Sequence, residues 1–447
     1  MDLTMFTEKL KGNNYPISKV AANEWKSFAM YTVESRAIPN MIDGLKPVQR
    51  FYLYSSLINS KKDFKKVSAV SGIISDYGYN HGESSAAGAG QLMAAEWNNN
   101  ICLIEGRGSF GTRLIQEAGA PRYVYSRVHD NFNKYVKDID LSPVHEDPEH
   151  EPPAFYLPII PMVLVNGTKG IATGFATNIL PHNPKDLKKA CVQYLDKGKI
   201  TIKPSVMFPE FAGTVEQSKE DPTKYTANGT FVRKGKTAIS ITEVPYGFDR
   251  EGYVKVLDNL EEDGDIVSYE DKCNKNGFHF EVKLKLTSAK WNDAKIITKF
   301  KLSKPFSQNL TVIDFEGKLR EYTDARSLIK DFCDYRLGIL QRRIDARVKE
   351  YNEEVRWLNV KMEFIQANVD GRIVFKDNTK AQVVNQIMQE TSALGSDTTR
   401  LLALSILNLT KEEIVKLKKQ IADSKQTLSL WEKTSPAEQF KTDLDNV

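Results

Sequence analysis

Long apolar runs are missing from this chain of 447 residues. No stretch approaches the roughly 20 residues needed to cross a bilayer, so a membrane-spanning helix is not expected. The opening segment, MDLTMFTEKLKGNN, lacks the apolar core of a secretory signal, which sets the expectation of a cytoplasmic protein. Cysteine is scarce and scattered. Cys102, Cys191, Cys273 and Cys333 form no CxxC pair, which argues against a zinc finger or a disulfide framework and fits a reducing compartment. Also missing is a Walker-type glycine-lysine nucleotide loop, and no DxD pair is read as a Mg²⁺-binding carboxylate cluster on a sheet edge. Charge of one sign is missing as well: the net charge of +4 supports no whole-chain conclusion.

What is present is local. Between Arg36 and Val67 stand seven basic residues (Arg36, Lys46, Arg50, Lys61, Lys62, Lys65, Lys66) against Asp43 and Asp63. Such a run suits a polyanion, and it equally suits a solvated face. Residues 22–36 have helical spacing, Pro39 stops them, and Asp43-Gly44 marks a turn. Pro47 then opens a helix to about Asn59, followed by a lysine-rich loop. A short helix at 68–76, a turn at 77–80 and a helix from His81 to Trp97 give a helix-turn-helix. An apolar strand at 101–104 and a glycine loop complete the layout of a winged helix.

That loop, EGRGSFGTRLIQEAGAPRY, ends in Arg122 and Tyr123. Its glycines serve positive φ or close approach, and Pro121 keeps the segment before Tyr123 out of a helix. Phenols are weak nucleophiles at neutral pH because only about one in a thousand is ionised. A cation at the attacked phosphate favours both the phenolate and the charged transition state. Taken alone, an Arg-Tyr pair is a weak signal and is far more often a surface pair without function.

An acidic, proline-rich stretch at 138–153 marks a boundary. Beyond it, residues 158–165 are expected as a buried strand, Asn166-Gly167 as a turn, and Ile171 as an aliphatic protruding from a small-residue segment. Helices are expected at 185–198 and near 249–261 within a mixed α+β domain. Leu337, Leu340, Ile344, Val348, Tyr351, Val355, Leu358, Met362 and Ile365 recur at steps of three and four, a coiled-coil seam with one slip. Ile414, Leu417, Ile421, Leu428 and Trp431, with Ser424, supply the returning helix. The segment between, including Leu401, Leu402, Leu404 and Ile406, reads as a helical cap. By itself this arm reads better as a plain packing or dimerisation hairpin.

The order of these parts, with the blocks SRAIPNMIDGLKPVQR (35–50), YNHGESS (79–85), GRGSFGTR (106–113), APRYVYSR (120–127), PMVLVNGTKGIATGFATNILPHNP (161–184) and SLIKDFCDYRL (327–337), resembles the breakage-reunion subunit of type IIA DNA topoisomerases. The chain stops soon after the arm, so a phage-type, gyrase A-like member acting in a host cytoplasm is expected. The resemblance implies an α+β multidomain fold: an N-terminal arm (1–21), a CAP-like winged-helix cleavage domain (22–140), a tower domain (141–325), an antiparallel coiled-coil arm (326–367 and 411–435), a helical dimerisation lobe or C-gate (368–410) and a tail (436–447). It implies Tyr123 as the nucleophile that links to a 5′ phosphate and Arg122 as the residue that holds that phosphate. Arg36, Lys46, Arg50 and His81 are implied as backbone-phosphate contacts, and Ile171 as a wedge between bases. Double-stranded DNA is the implied partner, with homodimer contacts at the winged-helix face and the arm tip. Mg²⁺ and ATP are both implied to bind a partner subunit, since this chain lacks their motifs. Asn80 stands where a histidine is common in the family, and Gln49 where gyrase has histidine. The implied activity is supercoil relaxation without gyrase-type supercoiling. The alternatives are a non-catalytic winged-helix DNA-binding protein with a dimerising arm, or a coiled-coil scaffold.

Overall fold

The computed structural model describes residues 17–405 and 409–447. Most of the expected N-terminal arm and Ile406 of the expected cap lie outside the described residues. The chain divides into two compact units, Met1–Arg336 with Asp443–Val447, and Leu337–Thr442.

The first unit begins with a helical segment in which α-helical turns (Ile17–Val20, Lys26–Thr32) alternate with π-helical ones (Ala21–Trp25, Val33–Ala37). Helix α1 (Pro47–Asn59) starts on a proline, whose missing N–H costs nothing in a first turn, and the Gln49 side chain accepts from the Lys46 N–H at 2.9 Å. Helices α2 (Val67–Gly72) and α3 (Glu83–Ala94) follow. Small residues on α3 allow close approach to α1: a Cβ on Gly90 would stand 2.2 Å from the Tyr52 ring. Strands β1 (Lys65–Lys66), β2 (Ile104–Arg107) and β3 (Tyr125–Val128) form an antiparallel wing in the order β1-β3-β2. The Tyr52 hydroxyl, 2.7 Å from the Ser126 hydroxyl, ties α1 to the central strand.

Two stretches differ from expectation. The apolar stretch 101–104 contributes Ile104 alone to β2, because the Asn166 side chain engages both the N–H and the C=O of Ile101 (2.9 and 2.8 Å). The expected strand at 158–165 is instead an isolated bridge at Pro158 and a short helix, Met162–Asn166. Met162, Val163, Leu164 and Val165 are buried all the same. A short apolar run carries no period that separates a buried strand from a buried helical turn.

Strands β4 (Thr168–Ile171) and β5 (Ala176–Ile179) form a hairpin in which Ile171 pairs with Ala176. Helix α4 (Pro184–Lys197) follows. The remainder of this unit is antiparallel: β6 (Thr214–Gln217), β7 (Lys224–Asn228), β8 (Thr230–Lys234), β9 (Ala238–Glu243), β10 (Ile266–Asp271), β11 (Phe280–Leu284), β12 (Ser303–Ser307), β13 (Leu310–Ile313) and β14 (Leu319–Tyr322). They pair as β10-β11-β9-β8, β12-β7-β6 and β13-β14. Helix α5 (Arg250–Glu262) closes the four-stranded sheet through Tyr253, Val256, Leu257 and Leu260, with Ile239, Ile241, Phe280 and Phe300 in the same core.

Helix α6 (Ala325–Val369) runs on into the second unit, which also holds α7 (Lys380–Glu390), α8 (Gly395–Leu402) and α9 (Lys411–Lys433). Glu354 meets Ser424 at 3.2 Å and Lys361 meets Glu413 at 2.9 Å. As one helix advances the other retreats, so α6 and α9 are antiparallel. Leu340, Ile344 and Ile365 of the expected seam are buried. Past Tyr351 the buried set also takes in Trp357, Val360 and Phe364, because the helical cap packs on α6 as well. Arg356 joins the cap by a bidentate contact with Asp397 (2.9 and 3.1 Å). A last helix, α10 (Pro436–Asp445), occupies the segment expected as a tail, with Phe440 and Leu444 buried.

Candidate nucleic-acid interface

The loop before β3 is held on several sides. Gly108 and Gly111 have φ of +111° and +81°, values that disfavour any side chain. A Cβ on Gly106 would stand 2.5 Å from the Phe110 ring. The Gln91 side chain of α3 donates to the Gly119 carbonyl at 2.6 Å, and the Trp97 indole donates to the Phe110 carbonyl at 3.0 Å. Ser68 N–H, on α2, donates to the Pro121 carbonyl at 3.1 Å, and Val67 N–H to the Val124 carbonyl at 3.0 Å. Val124 is buried.

On this braced base the side chains of residues 122 and 123 turn outwards. Tyr123 is 70 % exposed, and the Arg122 guanidinium lies 5.0 Å from the centre of its ring. Among the described residues neither side chain makes a hydrogen bond or an ion pair, so a phenol and a cation stand together at the surface with their polar atoms free. Lys65 and Lys66 of β1, both exposed, lie on the same small sheet, opposite Ser126 and Tyr125.

A second group forms where the N-terminal helical segment meets the start of α3. Arg36 Nη2 donates to His81 Nδ1 at 3.1 Å, and His81 Nε2 is 3.1 Å from the Tyr31 hydroxyl. A guanidinium only donates, so neutral His81 carries its proton on Nε2 and offers it to Tyr31. Burial and, secondarily, Arg36 lower the His81 pKa, which favours that neutral form. His81 does not cap α3, whose N-cap is Gly82. It holds the exposed Arg36 guanidinium in place.

The β4–β5 hairpin adjoins this group. A Cβ on Gly170 would stand 1.9 Å from the Ala37 carbonyl oxygen, so glycine allows the hairpin to lie against the residue after Arg36. Lys46 Nζ donates to the Lys169 carbonyl at 2.7 Å, and partial burial lowers its pKa. Ile171, 76 % exposed, projects from the hairpin end.

Arg50 departs from expectation. It is buried, with Nε 2.8 Å from Asp43 Oδ2 and Nη2 3.1 Å from Asp43 Oδ1 and 2.9 Å from the Leu45 carbonyl. Asp43 also accepts from Leu45 N–H (2.9 Å) and Tyr156 N–H (3.1 Å). A guanidinium so enclosed is not open to a phosphate. It stabilises the Asp43-Gly44 turn that sets Lys46 at the head of α1. The structure thus gathers Arg36, His81, Lys46 and Ile171 along one stretch, puts Arg122 and Tyr123 on a separate turn, and removes Arg50 from the surface. Gln91 and Trp97, which brace the loop, carry no sequence signal. Asp43 had one, the Asp-Gly turn itself.

No group of three or more His, Cys, Asp or Glu side chains among the described residues is placed to hold a metal ion. Nor is any helix there long and apolar enough to cross a membrane.

The chain is similar to several known proteins. The family model for the A subunit of DNA gyrase/topoisomerase IV matches residues 36–445. The DNA topoisomerase medium subunit of Enterobacteria phage T4 is 43% identical over 444 residues, covering 97% of this chain and 99% of that one. DNA topoisomerase 2 of Arabidopsis thaliana is 31% identical over 370 residues, covering 79% of this chain and 25% of that one. The chain thus spans nearly all of the phage relative and about a quarter of the plant enzyme. A crystal structure of the Plasmodium falciparum topoisomerase II DNA-binding, cleavage and re-ligation domain superposes with a TM-score of 0.84 at 25% identity, over 95% of this chain and 62% of that one. On the family model and the phage relative together, this chain belongs to the family of DNA gyrase/topoisomerase IV A subunits.

Proposed function

We propose that this chain is the DNA-cleaving and rejoining subunit of a heteromeric, ATP-dependent type II DNA topoisomerase. The observation that carries the reading is the exposed Tyr123 phenol beside Arg122 on a braced turn of a winged helix. Tyr123 Oη attacks the phosphorus of a backbone phosphodiester. The bond from phosphorus to the 3′ oxygen breaks, a bond from phosphorus to Oη forms, and the phenol proton ends on the released 3′ hydroxyl. One phosphodiester replaces another, so resealing is the same step reversed and needs no energy input. Arg122 faces the phosphate and offsets the charge that builds on its non-bridging oxygens. Arg36, held by His81, and Lys46 contact backbone phosphates, which position a duplex without reading its sequence. Ile171 inserts between bases. Partial unstacking costs about a few kcal/mol and is offset by the wider contact that a bent duplex makes.

Two copies of the chain, each with one Tyr123, then cut both strands so that another duplex passes. Their contacts lie at the winged-helix face and at the tip of the arm, where 368–410 is the dimerisation lobe. Mg²⁺ and ATP reside on a partner subunit. This chain has no glycine-lysine nucleotide loop and, among its described residues, no donor cluster for a metal. Supercoils are relaxed in the host cytoplasm.

The test is Tyr123→Phe in the complex with its partner. Denaturant-trapped protein–DNA adduct should fall by more than about a thousandfold, as for loss of any covalent nucleophile. Duplex binding should be retained, since Tyr123 supports no packing. An undiminished adduct, or one mapped to another residue, would overturn the assignment and favour a winged-helix protein that only binds DNA.

A further inference from the structure

Three lysines gather around the β4–β5 hairpin. In β4 the buried Gly170 faces Ala37, while its neighbours Lys169 and Ile171 are exposed. Residues two apart on a strand share a face, so Lys169 stands beside Ile171. Lys169 pairs with Asn178, and Asn178 bridges to Asn309, which brings in the end of β12. Lys304 of β12 is half-buried, with its ammonium 5.2 Å from the centre of the Phe248 ring and 5.5 Å from that of Phe306. Burial, and after it the charge on Lys169, lower the Lys304 pKa. Lys46 donates to the main chain of Lys169 itself. Among the described residues Lys46, Lys169 and Lys304 form no ion pair, whereas the buried Arg50, Arg113 and Arg336 of the same unit each do.

Cations held close together without a carboxylate repel one another unless an anion joins them. The aromatic faces around Lys304 compensate its desolvation in part and do not neutralise its charge. A duplex kinked at Ile171 carries its flanking phosphates towards this face. We propose that Lys169 and Lys304 together bind backbone phosphate beside the step that Ile171 opens, and so hold the bend that the wedge starts. The inference rests on the reading of Ile171 as a wedge in a bound duplex. It gives Lys304, which lies outside every recognised sequence block, a role in keeping DNA bent.

The experiment uses the full chain carrying Tyr123→Phe, so that binding is measured without cleavage. A short fluorescent duplex is titrated at several salt concentrations, and its bend is read by energy transfer between its ends. The double substitution Lys169→Met and Lys304→Met keeps the aliphatic stems. It should flatten the slope of log affinity against log salt by about two, near one per lost phosphate contact, and should reduce the bend. Ile171→Ala should reduce the bend and flatten the slope by no more than the methionine variant does, since it removes no charge. Lys169→Arg with Lys304→Arg should restore the slope, which a merely structural role for the stems would not predict. An unaltered slope in the methionine variant overturns the inference and leaves the Tyr123 assignment standing. A parent chain with no salt-dependent duplex binding overturns both.

Discussion

Two turns of the first unit each have an arginine from the family's sequence blocks beside or within them, and the fold treats the two oppositely. At 40–46, Arg50 closes on Asp43 through two hydrogen bonds and lies buried. At 120–123, Arg122 has no carboxylate partner among the described residues and lies against an exposed phenol. The first arginine neutralises a charge that the fold itself buries. The second leaves its charge uncompensated at the surface. Burial together with pairing, more than residue type, separates a supporting cation from a contacting one. Arg36 falls between them, since its partner His81 is neutral and leaves the positive charge intact.

The contrast has measurable consequences. Arg50→Ala leaves Asp43 as a buried, unpaired carboxylate. Unfolding stability should drop by about 3–5 kcal/mol, the usual result of breaking a buried pair from one side. Denaturant titration of the full chain checks this, and a drop under ~1 kcal/mol would mean that the pair is open to solvent. Arg122→Ala should leave the denaturation midpoint alone and slow strand cleavage by about 10²–10³, the range for losing one charge-stabilising donor. Single-turnover cleavage on a labelled duplex gives the number, and loss of stability in place of rate would erase the distinction between the turns.

A third, smaller effect concerns His182, fully buried and pushed down to about 4 chiefly by that burial. The unfolded chain binds this proton more tightly, so its contribution to stability is whole above pH ~6.5 and is lost as pH falls towards 4. Unfolding measured from pH 7 to 4 should therefore show an acid loss that His182→Asn lacks. An identical pH profile in the variant would refute this. The smallest expected change is at Ile171: Ile171→Ala, at an exposed site, should alter stability by less than about 0.5 kcal/mol while lowering DNA bending.

Much of this was legible beforehand. The helix-turn-helix, the glycine loop and the returning arm follow from spacing and punctuation, which act locally. The misread stretches share a cause. Residues 158–165 lacked a period, and Ile101 gives its backbone N–H and C=O to Asn166, 65 residues away. The lysine loop after α1 contains strand β1 because Tyr125 and Ser126 pair with it. No local rule anticipates a partner that far along the chain.

From the amino acids alone came the family, through the order of its blocks, and the chemistry on offer at Tyr123 and Arg122, because both depend on residue type and near neighbours. The three-dimensional fold decided which cations remain uncompensated. It placed Asp43 on Arg50, His81 on Arg36 and, among the described residues, no carboxylate on Lys169 or Lys304. Net charge at a point in space is a sum over residues that only folding brings together, and its effect depends on how much water the fold excludes around them.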